Sequence, residues 1–297
     1  MQKYSIFNLI KNAFSNHQKW DLAWKDPTPK KEYDVVIIGG GGHGLATAYY
    51  LAKEHNITNV AIIEKGWIGG GNVGRNTTII RSNYMHDDNA LFSEFGMDLW
   101  RKMSQDLNYN VMFSPRGIIN LAHSDAQMNV YARRGNSMRL NGIDAELLNR
   151  EQVREIIPMA DFSENVRFPI FGGLMQPSAG TARHDAVAWG YARQADSMGV
   201  DIIQNCEVIG FDISGGKVEG VRTSRGDIKV KKIGLCVAGS TNILADKLNM
   251  TLPIETHLLQ ACVSEPVKPV LDKVVTFGAG HFYISQSDKG EMVMGGD

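Results

Sequence analysis

Cysteine is scarce in this chain of 297 residues, which contains only Cys206, Cys236 and Cys262. Their number is odd, they are widely spaced, and each lies in an apolar run, so the sequence predicts buried thiols rather than a disulfide framework or a zinc site. This pattern favours a reducing compartment, and the cytoplasm is the location that we expect.

Long apolar runs and a charge imbalance are also missing. No stretch approaches about 18 consecutive apolar residues, so no membrane-spanning helix is predicted. The formal net charge is −1, without a basic block or an acidic tail, and this gives no indication of a nucleic-acid partner. The first 14 residues lack a small-residue cleavage site, and Asn8, Lys11 and Asn12 interrupt their apolar residues, which are Ile6, Phe7, Leu9, Ile10 and Phe14. We therefore interpret this segment as a docking helix rather than a signal peptide.

Glycine is abundant, and one glycine-rich turn follows the apolar run Val35–Ile38 directly. A buried strand, a glycine turn and a helix together form the site that binds the pyrophosphate of a dinucleotide. In this interpretation Gly39 permits the tight turn, Gly41 lets the backbone approach the phosphates, and Gly44 lets the helix pack closely on the strand. The amides that then point at the anion are those of Gly42, His43 and Gly44.

The residues after the turn complete a βαβ pattern. A helical segment at 45–52 precedes a second apolar strand at 60–63, and Glu64 follows about 20 residues after Gly44, where a ribose-binding acid belongs. The alternative is an ordinary βαβ unit with a glycine-lined turn, and the agreement of strand, helix and acid favours nucleotide binding over it. A carboxylate at Glu64 would repel a 2′-phosphate, which disfavours NADP.

An amphipathic helix is predicted after the pair Asp87-Asp88. Its apolar residues recur at intervals of three and four, and we expect them to pack in the core. They are Leu91, Phe92, Phe95, Leu99, Met103 and Leu107.

The middle of the chain reads as a different domain that is inserted into the first. It contains a strand at 117–122, helices at 125–140 and 149–156, and an irregular stretch at 158–182. A further helix is predicted from Asp185 to Met198.

Four closely spaced segments after that helix have strand patterns, at 200–204, 207–213, 217–222 and 226–230. They predict a β-meander, which leads into an apolar strand at 233–239 with a small-residue exit. A βαβ start with a meander crossover suits an FAD-binding domain better than a plain NAD domain.

The fold class predicted is therefore α/β. We expect a doubly wound, glutathione-reductase-like FAD-binding domain with a β-meander crossover, and an interleaved α+β substrate domain. The predicted boundaries are 1–32 for an N-terminal docking segment and lead-in, 33–110 with 183–250 for the FAD-binding domain, and 111–182 with 251–297 for the substrate or interface domain.

Several longer strings carry a family resemblance. They are GGGGHGLATAYYLA, EKGW, GNVGRNTTIIRSNY, GTARHDAVAW, MGVDIIQNCEV and the ending Gly290–Gly295. With these strings the chain resembles, over nearly its whole length, the beta subunits of heterotetrameric sarcosine oxidases. That family lies within the D-amino-acid-oxidase-like superfamily of FAD-dependent oxidoreductases.

The resemblance implies an activity, cofactors and partners. The activity is oxidative demethylation of sarcosine, or of a related N-methyl amino acid, to glycine. Noncovalent FAD would accept the hydride equivalent, and covalent FMN would pass the electrons to oxygen to give hydrogen peroxide. Alpha, gamma and delta type subunits would be partners, and tetrahydrofolate would capture the one-carbon product that otherwise leaves as formaldehyde. The resemblance implies no nucleic-acid or membrane partner.

Two side chains receive roles from the resemblance. His184 matches the position that is joined to FMN, and a neutral imidazole is a suitable nucleophile. On the residues alone, His184 is a surface or capping residue, and Asp185 is equally a first-turn residue of the helix. Arg81 matches the arginine that holds the substrate carboxylate, for which a bidentate guanidinium is suited. A solvated surface arginine is the alternative.

The remaining expected contacts are to FAD. The loop at 69–79 should fold over the flavin end of the dinucleotide, and it contains no histidine for covalent attachment. A flexible surface loop is the alternative. The contacts expected from this loop are Asn72, Thr77 and the backbone near Ile79. The further backbone contacts expected are Val208 to adenine, and Ala238 and Gly239 to the phosphate or ribose.

The resemblance also implies a further C-terminal segment beyond Gly295-Gly296-Asp297. Two other functions stay open at this point. One is a single-flavin FAD dehydrogenase of another N-methyl amino acid, and the other is a non-catalytic flavin-binding scaffold subunit.

Overall fold

The computed structural model describes residues 6–18, 22–163 and 165–296. In chain order, the α-helices in these ranges are α1 Ile6–Phe14, α2 Gly42–His55, α3 Asp87–Asp106, α4 Asp125–Leu140, α5 Arg150–Ile156, α6 His184–Ser197 and α7 Thr241–Asp246. The strands are β1 Glu32–Ile38, β2 Val60–Ile63, β3 Ile79–Ile80, β4 Ile118–Ala122, β5 Glu146–Asn149, β6 Gly172–Gln176, β7 Gly180–Thr181, β8 Asp201–Ile203, β9 Val208–Ser214, β10 Lys217–Thr223, β11 Gly226–Leu235, β12 Gln260–Val263, β13 Val274–Phe277, β14 Phe282–Gln286 and β15 Met292–Gly296.

The chain divides into two compact units. The first runs to Gly74 and resumes from His184 to Thr256, and the second comprises Arg75–Arg183 and the chain from His257. The first boundary therefore lies at 74/75, well before the predicted 110/111. The reason is that α3 contributes Ala90 to a buried cluster with Met138, Ile143 and Leu174 of the second unit.

The first unit contains a six-stranded sheet in the order β8-β2-β1-β11-β10-β9. Strands β8, β2, β1 and β11 are parallel, and β11, β10 and β9 form an antiparallel meander. Strand β2 and residues 36–38 of β1 are fully buried, as expected of a parallel sheet covered on both faces. The α/β class and the predicted βαβ unit are confirmed.

Two strand predictions in this unit are corrected. The segments predicted at 226–230 and 233–239 form one continuous strand as far as Leu235, β11, which pairs with β1 from Lys229 to Leu235. The chain then turns away through a 3₁₀ turn at Ala238–Ser240. Strand β8, which was predicted as part of the meander, lies instead at the opposite edge of the sheet, where it pairs in parallel with β2.

The second unit contains a seven-stranded sheet in the order β12-β15-β14-β13-β4-β6-β5, and β3 pairs separately with β7. Strand β6 lies between β4 and β5 in a stretch that was predicted to be irregular. Its start, Gly172-Gly173, resembles a loop in sequence, but a Cβ at Gly172 would lie 2.4 Å from the Leu148 carbonyl oxygen. The neighbouring strand therefore requires glycine there.

Helix α3 forms as predicted, but only part of its predicted apolar stripe lies in the core. Leu91, Phe92 and Phe95 are 53%, 78% and 63% exposed. The buried positions are Ala90, Met97, Met103 and Leu107. Met103 and Leu107 are therefore buried as predicted, whereas Ala90 and Met97 take the place of Leu91, Phe92 and Phe95 in the core.

The N-terminal helix and the three cysteines differ in how exposed they are. Helix α1 forms with all of its large apolar side chains exposed, so its docking role stays a prediction. Residues 1–5 of the predicted docking segment and 19–21 near its lead-in lie outside the described residues. Cys206 is buried as predicted, Cys236 is half-buried, and the prediction is wrong for Cys262, which lies exposed on an edge strand. None of the helices in the described ranges has the length and apolar character needed to cross a membrane.

Candidate functional site

The glycine turn after β1 is held so tightly that two of its positions exclude a side chain. Gly39 has φ +110°, and a Cβ there would lie 2.3 Å from the carbonyl oxygen of Cys236. A Cβ at Gly44 would lie 2.0 Å from the carbonyl oxygen of Gly39. The turn therefore brings the end of β1, the exit of β11 and the start of α2 into direct backbone contact.

The N-terminus of α2 is open on its outer side. Gly41 is the extended N-cap residue, and a Cβ there would meet only the Cγ2 of Val73, at 3.8 Å. The first amides of a helix have no acceptor within the helix, and the helix dipole favours negative charge there. These amides belong to Gly42, His43 and Gly44. The arrangement suits an approaching phosphate.

Glu64 is held in place at the end of β2. Its Oε2 accepts the Gly40 amide and its Oε1 accepts the Gly66 amide, both at 2.8 Å. Its own amide donates to Ile203, and its carbonyl accepts from Cys206, so its backbone is fixed as well. An ionised carboxylate has about four acceptor positions, so two bonds leave capacity for hydroxyl donors. Gly40 has a specific role here that sequence reasoning missed.

The loop that follows Glu64 is tied to the glycine turn. The Gly69 amide donates to the Gly40 carbonyl at 3.0 Å, and the Ile68 amide donates to Gln204 Oε1 at 2.9 Å. Trp67 lies over Gly70, since a Cβ at Gly70 would be 2.7 Å from the indole. Gln204 lies in one of the strings that carry the resemblance, but no role was predicted for it.

Helix α6 places His184 in the first unit. His184 is the first residue of α6 and is half-buried. The helix packs on α2 through Tyr191 and Tyr49, whose ring centroids are 5.4 Å apart. One turn after His184, Ala188 approaches Gly69, since a Cβ at Gly69 would lie 3.5 Å from the Ala188 Cβ.

The other predicted FAD contacts of the first unit are dispersed around the same sheet. Val208 is buried at the start of β9. It lies two residues after Cys206, whose backbone amide donates a hydrogen bond to the Glu64 carbonyl. Ala238 and Gly239 are exposed after the exit of β11, and Ala238 has the positive φ of +47°. Asn72 is exposed in the loop after Gly69.

In the second unit, Thr77, Ile79 and Arg81 lie along β3 and its flanks. Between them, Thr78 has φ +66°, which is rare for a β-branched residue and marks local strain. Its carbonyl accepts from Ala182 at 3.2 Å, and its amide donates to Asn76 Oδ1. Sequence reasoning had no signal for this conformation.

Arg81 belongs to a cluster of polar side chains. Its Nη1 donates to Asn83 Oδ1 at 2.7 Å, and its guanidinium lies 4.4 Å from the centre of the Tyr84 ring. Arg134, on α4, donates to the Asn83 carbonyl through Nε at 2.6 Å and also through Nη2. Burial and, after it, the charge of Arg81 lower the pKa of Arg134. Arg134 was missed because it lies on a helix of ordinary polar pattern.

A buried network holds the residue after Arg81. Ser82 and Gln176 are fully buried. The Ser82 amide donates to Gln176 Oε1 at 3.0 Å, Gln176 Nε2 donates to Ser82 Oγ at 2.7 Å, and Ser82 Oγ donates to Glu94 Oε2 at 2.6 Å. Among the described residues, no group of His, Cys, Asp and Glu side chains is arranged to hold a metal ion.

A parallel βαβ unit with this glycine turn, an open helix N-terminus and a fixed carboxylate defines a dinucleotide-binding protein. The profile of the FAD dependent oxidoreductase family matches residues 34–297, and the chain belongs to this family.

Within the family, the chain is 60% identical over 295 residues to sarcosine oxidase subunit beta of Rhizobium meliloti (strain 1021), covering 99% of this chain and 71% of the relative. It is 52% identical over 296 residues to sarcosine oxidase subunit beta of Rhodobacter capsulatus, covering 100% and 71%. A crystal structure of L-proline dehydrogenase from P. horikoshii superposes with a TM-score of 0.83 at 26% identity, over 90% of this chain and 70% of that one. The chain is thus a flavoprotein oxidoreductase similar to sarcosine oxidase beta subunits.

Proposed function

We propose that this chain is the FAD-carrying, amine-oxidising subunit of a multi-subunit oxidase that demethylates sarcosine or a related N-methyl amino acid. The observation that carries the proposal is the glycine turn with Glu64, found in a chain similar over its full length to sarcosine oxidase beta subunits. A noncovalent FAD fits the first unit, because Gly41 leaves the helix N-terminus open and the carboxylate of Glu64 keeps free acceptor capacity.

The residues proposed to contact FAD include the glycine turn and further positions in each unit. They are Gly39, Gly41, Gly42, His43, Gly44, Glu64, Asn72, Thr77, Ile79, Val208, Ala238 and Gly239. When bound, FAD supplies a two-electron acceptor for the amine. Arg81 would bind the substrate carboxylate through its guanidinium.

The overall reaction balances with oxygen and water. Sarcosine loses two electrons and two protons at its N-methyl group to give an imine, and water hydrolyses the imine to glycine and formaldehyde. The two electrons and two protons reduce oxygen to hydrogen peroxide. Where the complex binds tetrahydrofolate, this carrier would capture the one-carbon unit.

We further propose that His184 attaches a covalent FMN that relays electrons to oxygen. Support comes from its place as the half-buried first residue of α6 and from the chemistry of a neutral imidazole. Alpha, gamma and delta type subunits are the proposed partners, since similar chains are named as subunits. The cytoplasm is the proposed location, on the grounds of cysteine usage.

A second candidate is a single-flavin dehydrogenase of another secondary amino acid. The similarity to L-proline dehydrogenase favours it, because proline, like sarcosine, is a secondary amine with an α-carboxylate. This function needs no flavin on His184. A non-catalytic flavin-binding scaffold would bind FAD that no amine reduces.

Acid precipitation of the chain co-expressed with its partner subunits tests these proposals. Released FAD together with retained FMN, which disappears in His184→Ala, would support the two-flavin oxidase. Released FAD without retained flavin in the wild type would favour the dehydrogenase. His17→Ala is a matched control on a surface histidine, and it should leave the retained flavin unchanged.

A further inference from the structure

Two arginines of the second unit bind one residue from different sides. Arg81 reaches the side-chain oxygen of Asn83 at 2.7 Å, and Arg134 reaches the backbone carbonyl of the same residue at 2.6 Å. No carboxylate in the described part of the chain forms an ion pair with either arginine. Two cations therefore converge on a neutral residue, an arrangement that favours a nearby anion.

The orientation of Asn83 follows from its partners. Asn83 is fully buried. A guanidinium only donates hydrogen bonds, so the Asn83 oxygen must face Arg81 and its Nδ2 must face away. That Nδ2 has no partner in the described residues. A buried donor without a partner is costly, so the hydrogen bond from Arg81 sets the orientation of the Asn83 side chain.

The backbone around Asn83 is held from both directions. Gln176 exchanges two hydrogen bonds with Ser82, one to the amide and one to the hydroxyl, and both residues are fully buried. Arg134 donates twice to the carbonyl of Asn83. These bonds leave the two residues after Arg81 little freedom, so the Arg81 guanidinium starts from a fixed support.

We propose that Arg134 is a positioning residue that acts through Asn83 to set the Arg81 guanidinium for the carboxylate of the amino-acid substrate. This inference rests on the proposed function of Arg81. Arg134 fixes the Asn83 carbonyl, Asn83 presents its Oδ1 to Arg81, and Tyr84 supports the guanidinium face at 4.4 Å. A prepositioned guanidinium loses less freedom when the carboxylate binds, which lowers KM without changing the chemical step.

The test uses the full chain in its flavin-loaded complex, with sarcosine as substrate. Arg134→Gln removes the charge and the paired donation to the carbonyl, and we expect KM for sarcosine to rise about tenfold while kcat stays within about twofold. Arg134→Lys keeps the charge and one donor, so it should restore part of the loss. Arg133→Gln, an exposed neighbour on the same helix, is the matched control and should behave as wild type.

A double-variant cycle separates positioning from general damage. If Arg134 acts through Arg81, the pair Arg81→Gln with Arg134→Gln should have the KM of Arg81→Gln alone. Asn83→Ala removes the Oδ1 that accepts from Arg81 but keeps the backbone carbonyl that Arg134 binds, and it should raise KM as Arg134→Gln does.

The outcomes that contradict the inference differ from those that contradict the proposed function. If Arg81→Gln raises KM and Arg134→Gln matches Arg133→Gln, the positioning role is wrong and the function of Arg81 stands. If Arg81→Gln leaves KM unchanged, the proposed carboxylate site itself is wrong. If Arg134→Gln lowers FAD content, or lowers kcat as much as it raises KM, Arg134 has a structural role only.

Discussion

At the scale of single residues, the glycines of the turn are needed for two different reasons: packing of the backbone, and access of a ligand. Gly39 and Gly44 exclude a Cβ because backbone oxygens lie within 2.3 Å of its position. Gly41 has an ordinary φ and an open outer side, so the fold itself tolerates a side chain there. Packing therefore requires glycine at Gly39 and Gly44, whereas at Gly41 the expected requirement comes from the ligand. Substitutions can distinguish these two requirements.

We predict opposite outcomes for Gly44→Ala and Gly41→Ala. The first should destabilise the first unit by about 3 kcal/mol, because a methyl group would lie 2.0 Å from the Gly39 oxygen. The second should change stability by less than about 1 kcal/mol but should reduce bound FAD, because the methyl group occupies the path of the phosphates. Thermal unfolding without cofactor and the flavin content of purified protein measure the two effects. Equal unfolding of both variants would contradict the distinction.

Ala238 has a strained backbone, so replacing it with glycine should raise the stability of the chain, unlike the two glycine substitutions above. Its φ of +47° costs an L-residue about 1–2 kcal/mol, and glycine adopts it freely at an entropic cost of about 0.5–1 kcal/mol. Ala238→Gly should therefore stabilise the chain by up to about 1 kcal/mol. Ala46→Gly, inside α2, should instead destabilise it by about 0.5–1 kcal/mol. Urea unfolding of the two variants checks the signs, and destabilisation by Ala238→Gly would be inconsistent with strain.

At the scale of elements, periodicity predicts that a helix forms more reliably than it predicts which face is buried. In α3 the strongest apolar residues, Phe92 and Phe95, face outward, while Ala90 and Met97 pack inward. The sequence alone could not show this, because the partner surface is formed by Met138, Ile143 and Leu174, which lie far along the chain. Strand β6 was missed for a related reason. Its glycines are required by close contact with the neighbouring strands, which local strand propensity does not show.

The orientation of α3 can be tested by comparing two substitutions. Met97→Ala should cost about 2–5 kcal/mol, because Met97 is almost fully buried. Phe92→Ala should change stability by less than about 0.5 kcal/mol, because its side chain is 78% exposed. Urea denaturation followed by circular dichroism measures both, and a larger cost for Phe92 would show that the helix buries the other face.

His123, at the end of β4, makes the stability of the second unit depend on pH. Burial lowers its pKa below the ordinary value of 6.5, although the carbonyls of Pro169 and Phe168 oppose the shift. The unfolded chain then binds a proton more readily, so this contribution is complete above 6.5 and is lost as pH falls through the folded pKa.

We expect His123→Gln to weaken the loss of stability on acidification below 6.5. Urea unfolding at several pH values measures the slope, with the exposed His86→Gln as control. An unchanged slope in His123→Gln would contradict the assignment.

At the scale of the whole molecule, each unit carries its own part of the proposed chemistry. The first unit contains the glycine turn, Glu64 and His184, and the second contains Arg81 with its support. Motif and spacing led to the glycine turn and Glu64, because a dinucleotide site is built around one βαβ unit, whereas the role of His184 came only from the family resemblance. The support of Arg81 comes from α4 and β6, whose residues Arg134 and Gln176 carry no motif, so only the folded chain reveals it.

This chain is proposed to hold an FAD that a secondary amino acid reduces. The most direct measurement is the visible absorbance of the bound flavin when sarcosine is added without oxygen to the chain in its complex. We predict bleaching of the FAD absorbance by sarcosine, with a higher sarcosine requirement in Arg81→Gln. FAD that stays oxidised in the presence of sarcosine would contradict the claim.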